Sequence, residues 1–418
     1  MSVMVRQPFL AAADAETVVR RVATAWILAQ VTAMAVAGCT SAPGTSPNDA
    51  TNPKPTTSSA ATSAPVVSQP ALFYTKAGSL YVSDPAGTPG RKLTDGPADT
   101  EPAPSPDLAH VAYIHKASTS DYGGELWVLD LSPQREPAGA PRRLIDPSAL
   151  PPRFDIPEID AAPTAIVHPR WSPTGKQLAF LEAGEGGGFL LVADADRGEI
   201  LAPEQRLFAD DGYTWAPDGQ HIAWTGGRSD VSPVDVNVLT VGARSTPVVE
   251  DTDAFSVTYA DGGQAILFAN GDTSGEAFAG IPFGLGGGGI YSVGTPGGTP
   301  ADPPAPPTPI FAGQALFGDV AALDSGAVAF TESSADGSSK TIQILDDGSA
   351  LPRTTISNVT ADGPGPAWGP GDIVAYLDTS AEKHLIVTDV DNRAPKRIDT
   401  GVDGFAWPAR TNSPAGPR

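Results

Sequence analysis

One motif recurs along the chain and restricts what it can fold into. The segments PRWSPTGKQLAFLE from Pro169, YTWAPDGQHIAWTG from Tyr213, VTYADGGQAILFAN from Val257 and PAWGPGDIVAYLD from Pro366 fall into register. PAPSPDLAHVAYIH from Pro102 and VAALDSGAVAFTE from Val320 are weaker copies. Each has an aromatic or small residue, a turn of the Ser/Ala-Pro-Asp-Gly type, and then an apolar strand ending near an aromatic. Trp171, Trp215 and Trp368 share one repeat position, and the neighbours are spaced 215 − 171 = 44 residues apart. A unit of that length buries its apolar faces only by stacking on further units, and the period matches a four-stranded propeller blade.

A second alternating strand follows each copy: GELWVLDL, GFLLVADA, VDVNVLTV, GGIYSVG, KTIQILDD and HLIVTDVD. A short third one comes after most of them, as in RRLI, QRLF, TPVVE, TPIFA, RTTIS and KRID. With the tryptophan segment this makes four strands per unit, termed a to d from the channel outward. Residues 71 to 94 supply strands b, c and d without an a, whereas GFAWP at 404 to 408 is a strand a with nothing after it. The expectation is an all-β, seven-bladed propeller over 71 to 408, closed by C-terminal strand pairing in the first blade so that no sheet edge stays open. A six-bladed ring is the alternative if the unit around Val320 is misread. Trp127 and Trp224 read as blade-to-blade packing.

Composition agrees with short strands and tight turns. Of 418 residues, 45 are Gly and 43 Pro, and 18% are charged; Gly supplies positive φ and Pro interrupts helices. The formal net charge of -22 disfavours nucleic acid, which requires a basic face.

The single cysteine excludes an internal disulfide and a multi-cysteine metal site, and its position carries information. Arg20 and Arg21 precede VATAWILAQVTAMAVAG, an uncharged run of 17 residues that stops at Cys39. A positive flank, an apolar segment and small residues at its end form a secretory signal peptide. Val36-Ala37-Gly38-Cys39 resembles the bacterial lipobox, whose cysteine receives a thioether-linked diacylglyceride. Residues 1 to 38 are therefore read as a lipoprotein signal, with a plain membrane anchor or a peptidase-cleaved soluble protein as alternatives. Residues 39 to 70 are read as the lipidated cysteine and a disordered Ser/Thr/Pro tether, poor in the large apolar groups that offset ordering entropy. Residues 409 to 418 are read as a disordered tail.

The pattern W-[SA]-P-x-G, apolar strand, IYVxD and RxLT resembles the TolB-like propeller repeat, also found in propellers of prolyl-oligopeptidase-type peptidases. RKLTDG at Arg91 and YTWAPDGQHIAW at Tyr213 are among its best matches, and the resemblance covers about residues 71 to 408. TolB itself carries an α/β domain before a six-bladed propeller, and the peptidases an α/β-hydrolase domain; neither is read in this sequence. The resemblance implies a fold, and neither the Tol role nor peptidase activity. A TolB-like lipoprotein of actinobacterial type fits the pattern best.

No motif points to a cofactor or a metal. GLGGGG at Gly284 leads into a strand, whereas a dinucleotide loop opens a helix. The carboxylates of DADRGE from Asp194 and DVDNR from Asp389 read as hairpin turns. No catalytic residue is assigned.

In a propeller the d-to-a and b-to-c loops share one face, and the a-to-b and c-to-d loops the other. Insertions at 116 to 124, 146 to 166 and 270 to 288 all extend the d-to-a face, which is taken as the binding face. Arg153, Asp155, Glu158 and Asp160 of one long loop are the candidates, with His168, Asp253 and Asp403 near the channel mouth. The expected role is a monomeric binding scaffold, lipid-anchored on the extracytoplasmic face of the cell membrane and recognising an envelope protein or glycan. The alternative is a propeller hydrolase, a lactonase or glycoside-active enzyme, with its site at the channel mouth.

Overall fold

A computed structural model describes residues 70–151, 164–184, 187–201, 212–227, 234–243, 245–250, 252, 254–270, 277–278, 281–282, 288–295, 306–313, 315–392 and 394–409. Blade 1 begins with β1 (Leu72–Lys76), β2 (Ser79–Ser83) and β3 (Arg91–Lys92). Blade 2 has β4 (Asp99–Pro104), β5 (His110–His115), β6 (Glu125–Asp130) and β7 (Arg142–Ile145). Blade 3 has β8 (Ala165–Trp171), β9 (Gln177–Gly184) and β10 (Gly187–Asp194); its expected outer strand QRLF lies outside the described residues. Blade 4 has β11 (Tyr213–Trp215), β12 (His221–Gly226), β13 (Asp235–Thr240) and β14 (Ser245–Val249).

Blade 5 has β15 (Ala254–Ala260) and β16 (Ala265–Asn270), then a two-stranded excursion, β17 (Ala277–Phe278) and β18 (Ile281–Pro282), before β19 (Gly288–Gly294) and β20 (Thr308–Gly313). Blade 6 has β21 (Phe317–Ala322), β22 (Val328–Ser333), β23 (Ser339–Leu345) and β24 (Arg353–Thr360). Blade 7 has β25 (Ala367–Gly369), β26 (Ile373–Leu377), β27 (His384–Asp389) and β28 (Lys396–Thr400). The last strand, β29 (Val402–Ala406), joins the first sheet in the order β29-β1-β2-β3. Phe73 pairs with Ala406 and Tyr74 with Phe405, antiparallel. The ring has seven blades, and the unit around Val320 is a full four-stranded blade, so the six-bladed alternative is set aside.

Each blade is covered on both sides, which is why its central strands read as continuous apolar runs rather than as alternation. All five residues of β26, Ile-Val-Ala-Tyr-Leu, are buried. Seven clusters of buried apolar side chains fill the seven spaces between neighbouring blades. The one between blades 7 and 1 joins Ile373, Leu377 and Leu385 to Leu72, Tyr74, Phe405 and Trp407. At that seam the Asp399 carboxylate of β28 accepts the Tyr74 hydroxyl at 2.8 Å and the Lys76 ammonium at 2.5 Å.

The repeated tryptophan has a bonding reason for its place. Trp171 Nε1 donates to the Ala103 carbonyl at 2.7 Å, Trp215 Nε1 to that of Arg170 at 3.1 Å, and Trp407 Nε1 to that of Ala367 at 3.0 Å. Each acceptor lies one residue before the tryptophan position of the preceding blade. Trp368 Nε1 breaks the series, buried without a hydrogen-bond partner among the described residues. Trp224, also buried, donates to Ser245 Oγ at 2.9 Å. Trp127 donates to Glu125 at 2.8 Å and packs on the His115 ring.

The acidic turns on the a-to-b face hold themselves. Asp194 Oδ1 accepts the amides of Asp196 and Arg197 at 3.1 and 2.9 Å, and Asp389 accepts that of Asp391 at 3.0 Å, the self-capping that makes Asp a turn residue.

Candidate functional site: the d-to-a mouth of the channel

Strand a of a propeller runs from the d-to-a face inward along the channel, so its first residues line the mouth. In five blades this part of the strand is bulged. Pairing slips by one residue between Thr100 and Ala103 in β4, between Val167 and Arg170 in β8, and between Gly318 and Ala321 in β21. In β15 it slips past Phe255, and in β29 past Asp403. A bulge takes a residue out of the ladder and re-aims its side chain. The residues at the slips are Glu101, His168, Phe255, Asp319 and Asp403.

Three of these hold left-handed backbone without being glycine: Glu101 at φ 51°, His168 at φ 54° and Asp319 at φ 46°. That conformation costs on the order of 1–3 kcal/mol per residue, and neighbouring contacts must hold it in place. The holding contacts pass from blade to blade. The Glu101 carboxylate accepts the His168 amide and lies 3.3 Å from His168 Nδ1. The His168 carbonyl accepts the Tyr213 hydroxyl from blade 4, and the Arg170 guanidinium lies 4.6 Å above the Tyr213 ring. Ser256 Oγ of blade 5 accepts the Val320 amide of blade 6 at 3.0 Å.

Asp319 accepts Lys340 Nζ at 2.9 Å and the Thr331 hydroxyl at 2.8 Å. Its carboxylate occupies the space left by Gly365: a Cβ there would stand 2.1 Å from Asp319 Oδ1. Asp403 keeps an exposed side chain. Partial withdrawal from water pushes its carboxyl above the usual range, against the opposing pull of the Ala77 amide and the charges of Lys383 and Lys116. Among the described residues the mouth thus gathers the carboxylates of Glu101, Asp319 and Asp403 and the ammonium groups of Lys116, Lys340 and Lys383.

Just behind this ring, buried Asp99 accepts the Thr94 hydroxyl at 2.5 Å and lies 2.7 Å from His115 Nδ1, and Asp378 lies 2.8 Å from His384 Nδ1. Among the described residues no three His, Cys, Asp or Glu side chains converge to hold a metal ion. The b-to-c loop of blade 2 meets the start of β8 on this face, since Gly124 and Ile166 exchange backbone bonds of 3.2 and 2.9 Å.

Of the residues singled out from sequence, His168 and Asp403 lie at this mouth. Arg153, Asp155, Glu158, Asp160 and Asp253 lie outside the described residues, as does Cys39. Sequence reasoning missed Glu101, Phe255, Asp319 and the three lysines. The repeat held a signal for two of them: Glu101 and Asp319 stand three residues before the tryptophan position of their blades, as His168 does.

No protein-family model and no curated protein matches the chain. Solved structures similar to it include a functionally unknown protein from Desulfotomaculum acetoxidans, with TM-score 0.51 and 12% identity over 82% of this chain and 100% of the other. The β-propeller domain of the Trilobed protease from Pyrococcus furiosus has TM-score 0.50 and 16% identity over 78% of this chain and 93% of that one. That domain is described as having an open velcro topology, whereas here β29 and β1 pair. TolB from Acinetobacter baumannii has TM-score 0.45 and 15% identity, and this chain spans 66% of its length. At such identities the likeness concerns the fold alone, and the fold is a β-propeller.

Proposed function

We propose that this protein is an extracytoplasmic scaffold, anchored to the cell membrane by lipid on Cys39, whose propeller presents the d-to-a mouth to a protein or glycan of the cell envelope. One observation carries the binding half of this reading: five inner strands are bulged within one residue of the same level, and three of the bulges hold strained, non-glycine residues. Ring closure alone does not require such strain, and strained backbone held by neighbouring contacts gathers where a surface is used.

The path of the chain through the ring supports this reading. Pro70 precedes the a-to-b end of β1, and Ala409 follows the a-to-b end of β29, so the ring's two ends leave from the face opposite the mouth. The chain thus enters and leaves the ring on the face away from the d-to-a mouth proposed for binding.

Two measurements test the two halves. In detergent phase partition of cells, wild type is expected in the detergent phase and Cys39→Ala in the aqueous phase; equal partition removes the anchor. A photo-crosslinking residue at Asp403 is expected to trap envelope components in intact cells, and one at exposed Asp347, in the c-to-d turn of blade 6, is not. Equal adducts from both positions would remove the mouth as the binding face.

A further inference from the structure

The chain has a net charge of -22, yet each described carboxylate at the slips stands close to a basic side chain. Asp319 is matched by Lys340 at 2.9 Å, Glu101 faces His168 at 3.3 Å, and Asp403 lies in the field of Lys116 and Lys383. Groups already paired offer a cationic or an anionic ligand little net attraction, and a charged ligand brought beside them gives up part of its own hydration.

A neutral ligand rich in hydroxyls meets no such penalty. An ammonium group has three donor hydrogens and a carboxylate about four acceptor sites, so every matched pair keeps capacity on both sides. Among the described residues two aromatics on this face are exposed, Tyr122 in the b-to-c loop of blade 2 and Phe255 at the slip in β15. Phe255, 38% exposed, is the residue passed over in β15, and its ring edge lies over Gly318 of blade 6, where a Cβ would meet Cε2 at 3.2 Å. A partly exposed aromatic ring next to paired hydrogen-bonding groups is the combination that holds an apolar ring edged with polar groups.

We infer that the d-to-a mouth binds a neutral saccharide, with a sugar ring on Phe255 and its hydroxyls shared among Asp319, Lys340, Asp403 and the lysines beside it. The inference rests on the scaffold reading above and narrows its ligand to one class.

The test is calorimetric titration of the full chain in detergent micelles. Neutral probes are cellotetraose, maltotetraose and mannotriose; charged controls are tetragalacturonate and the glucosamine tetramer. At least one neutral probe is expected to bind, with both charged oligomers about tenfold weaker or worse. Phe255→Ala should weaken the neutral probe by about five- to tenfold, while Phe255→Tyr stays within about threefold of wild type. Asp403→Asn, at an exposed side chain, gives a second reading in a variant whose thermal unfolding is checked in parallel, and should also weaken it. A charged oligomer bound more tightly than every neutral one, binding unmoved by Phe255→Ala, or no binding by any neutral probe overturns the inference. If the saccharides fail while crosslinking from position 403 still traps a partner, the ligand class falls and the scaffold stands; failure of both removes both.

Discussion

Removing the closing strand is the most demanding trial of this architecture. A chain stopped after Gly401 loses β29 and the residues beyond it. Val402, Phe405 and Trp407 are 2%, 7% and 7% exposed in the ring, so their burial is lost almost completely. At about 1.5–3 kcal/mol for each large apolar side chain, that removes about 5–9 kcal/mol. The bond from Trp407 Nε1 to the Ala367 carbonyl goes too, worth about 1 kcal/mol, and the edge of β1 is left unpaired. Whole domains have about 5–15 kcal/mol of stability, so the truncated ring should be unfolded, or open at far lower urea than the parent. Urea titration followed by tryptophan fluorescence measures the difference. A chain stopped after Ala409 is the control and should match the full chain. Phe405→Ala and Trp407→Ala give intermediate steps of about 3–5 kcal/mol each. If the chain ending at Gly401 unfolded at the same midpoint as the control, β29 would not close the ring and the reasoning would fail.

The tryptophan ladder predicts a contrast. Trp171→Phe leaves the Ala103 carbonyl without its donor and should cost about 1–3 kcal/mol in chemical denaturation, whereas Trp368→Phe gives up no hydrogen bond and should cost clearly less. Burial raises the Asp399 carboxyl, but the bonds from Lys76, the Thr400 amide and Tyr74 outweigh it and hold it below its ordinary value. Its stabilisation is therefore present above about pH 4 and lost as pH falls through the folded value, so the gap in midpoint between wild type and Asp399→Asn should be full at pH 7 and shrink in acid. Asp403 has the opposite sign: its carboxyl is raised, so ionising it above about pH 4 opposes folding, and Asp403→Asn should raise the thermal midpoint at pH 7 but not at pH 3. Gly365→Ala places a methyl 2.1 Å from Asp319 Oδ1 and should cost about 1–3 kcal/mol; an unchanged midpoint would mean that the carboxylate is free to leave that space.

Much of the fold could be read in the chain because its cause is contiguous. A blade is one repeat of local sequence, and Trp171, Trp215 and Trp368 mark its phase whatever lies beside them. The missing strand a before Ala71 and the unmatched one at Gly404 to Pro408 predict each other as partners, since an unpaired edge at both ends of one repeat array has a single economical solution. The turn role of Asp194 and Asp389 was legible for the same reason, being satisfied within three residues.

The mouth was only partly legible. His168 drew notice because it enters strand a just before Pro169, toward the channel mouth, but Glu101, 67 residues earlier, reads as an ordinary charged residue until blade 3 comes to rest against blade 2. Whether a strand carries a bulge depends on how it pairs with its neighbour, so nothing in its own segment marks Phe255, which leaves the ladder only when β15 meets β16. The length of the repeat, the apolar runs that bury both faces of a blade and the strand left over at each end are written in neighbouring residues, and the sequence by itself determined them. Which side chains leave the ladder and which charges they meet follow from one-residue slips between strands and from the radius of a seven-bladed ring, and those come into being only when the tertiary structure closes.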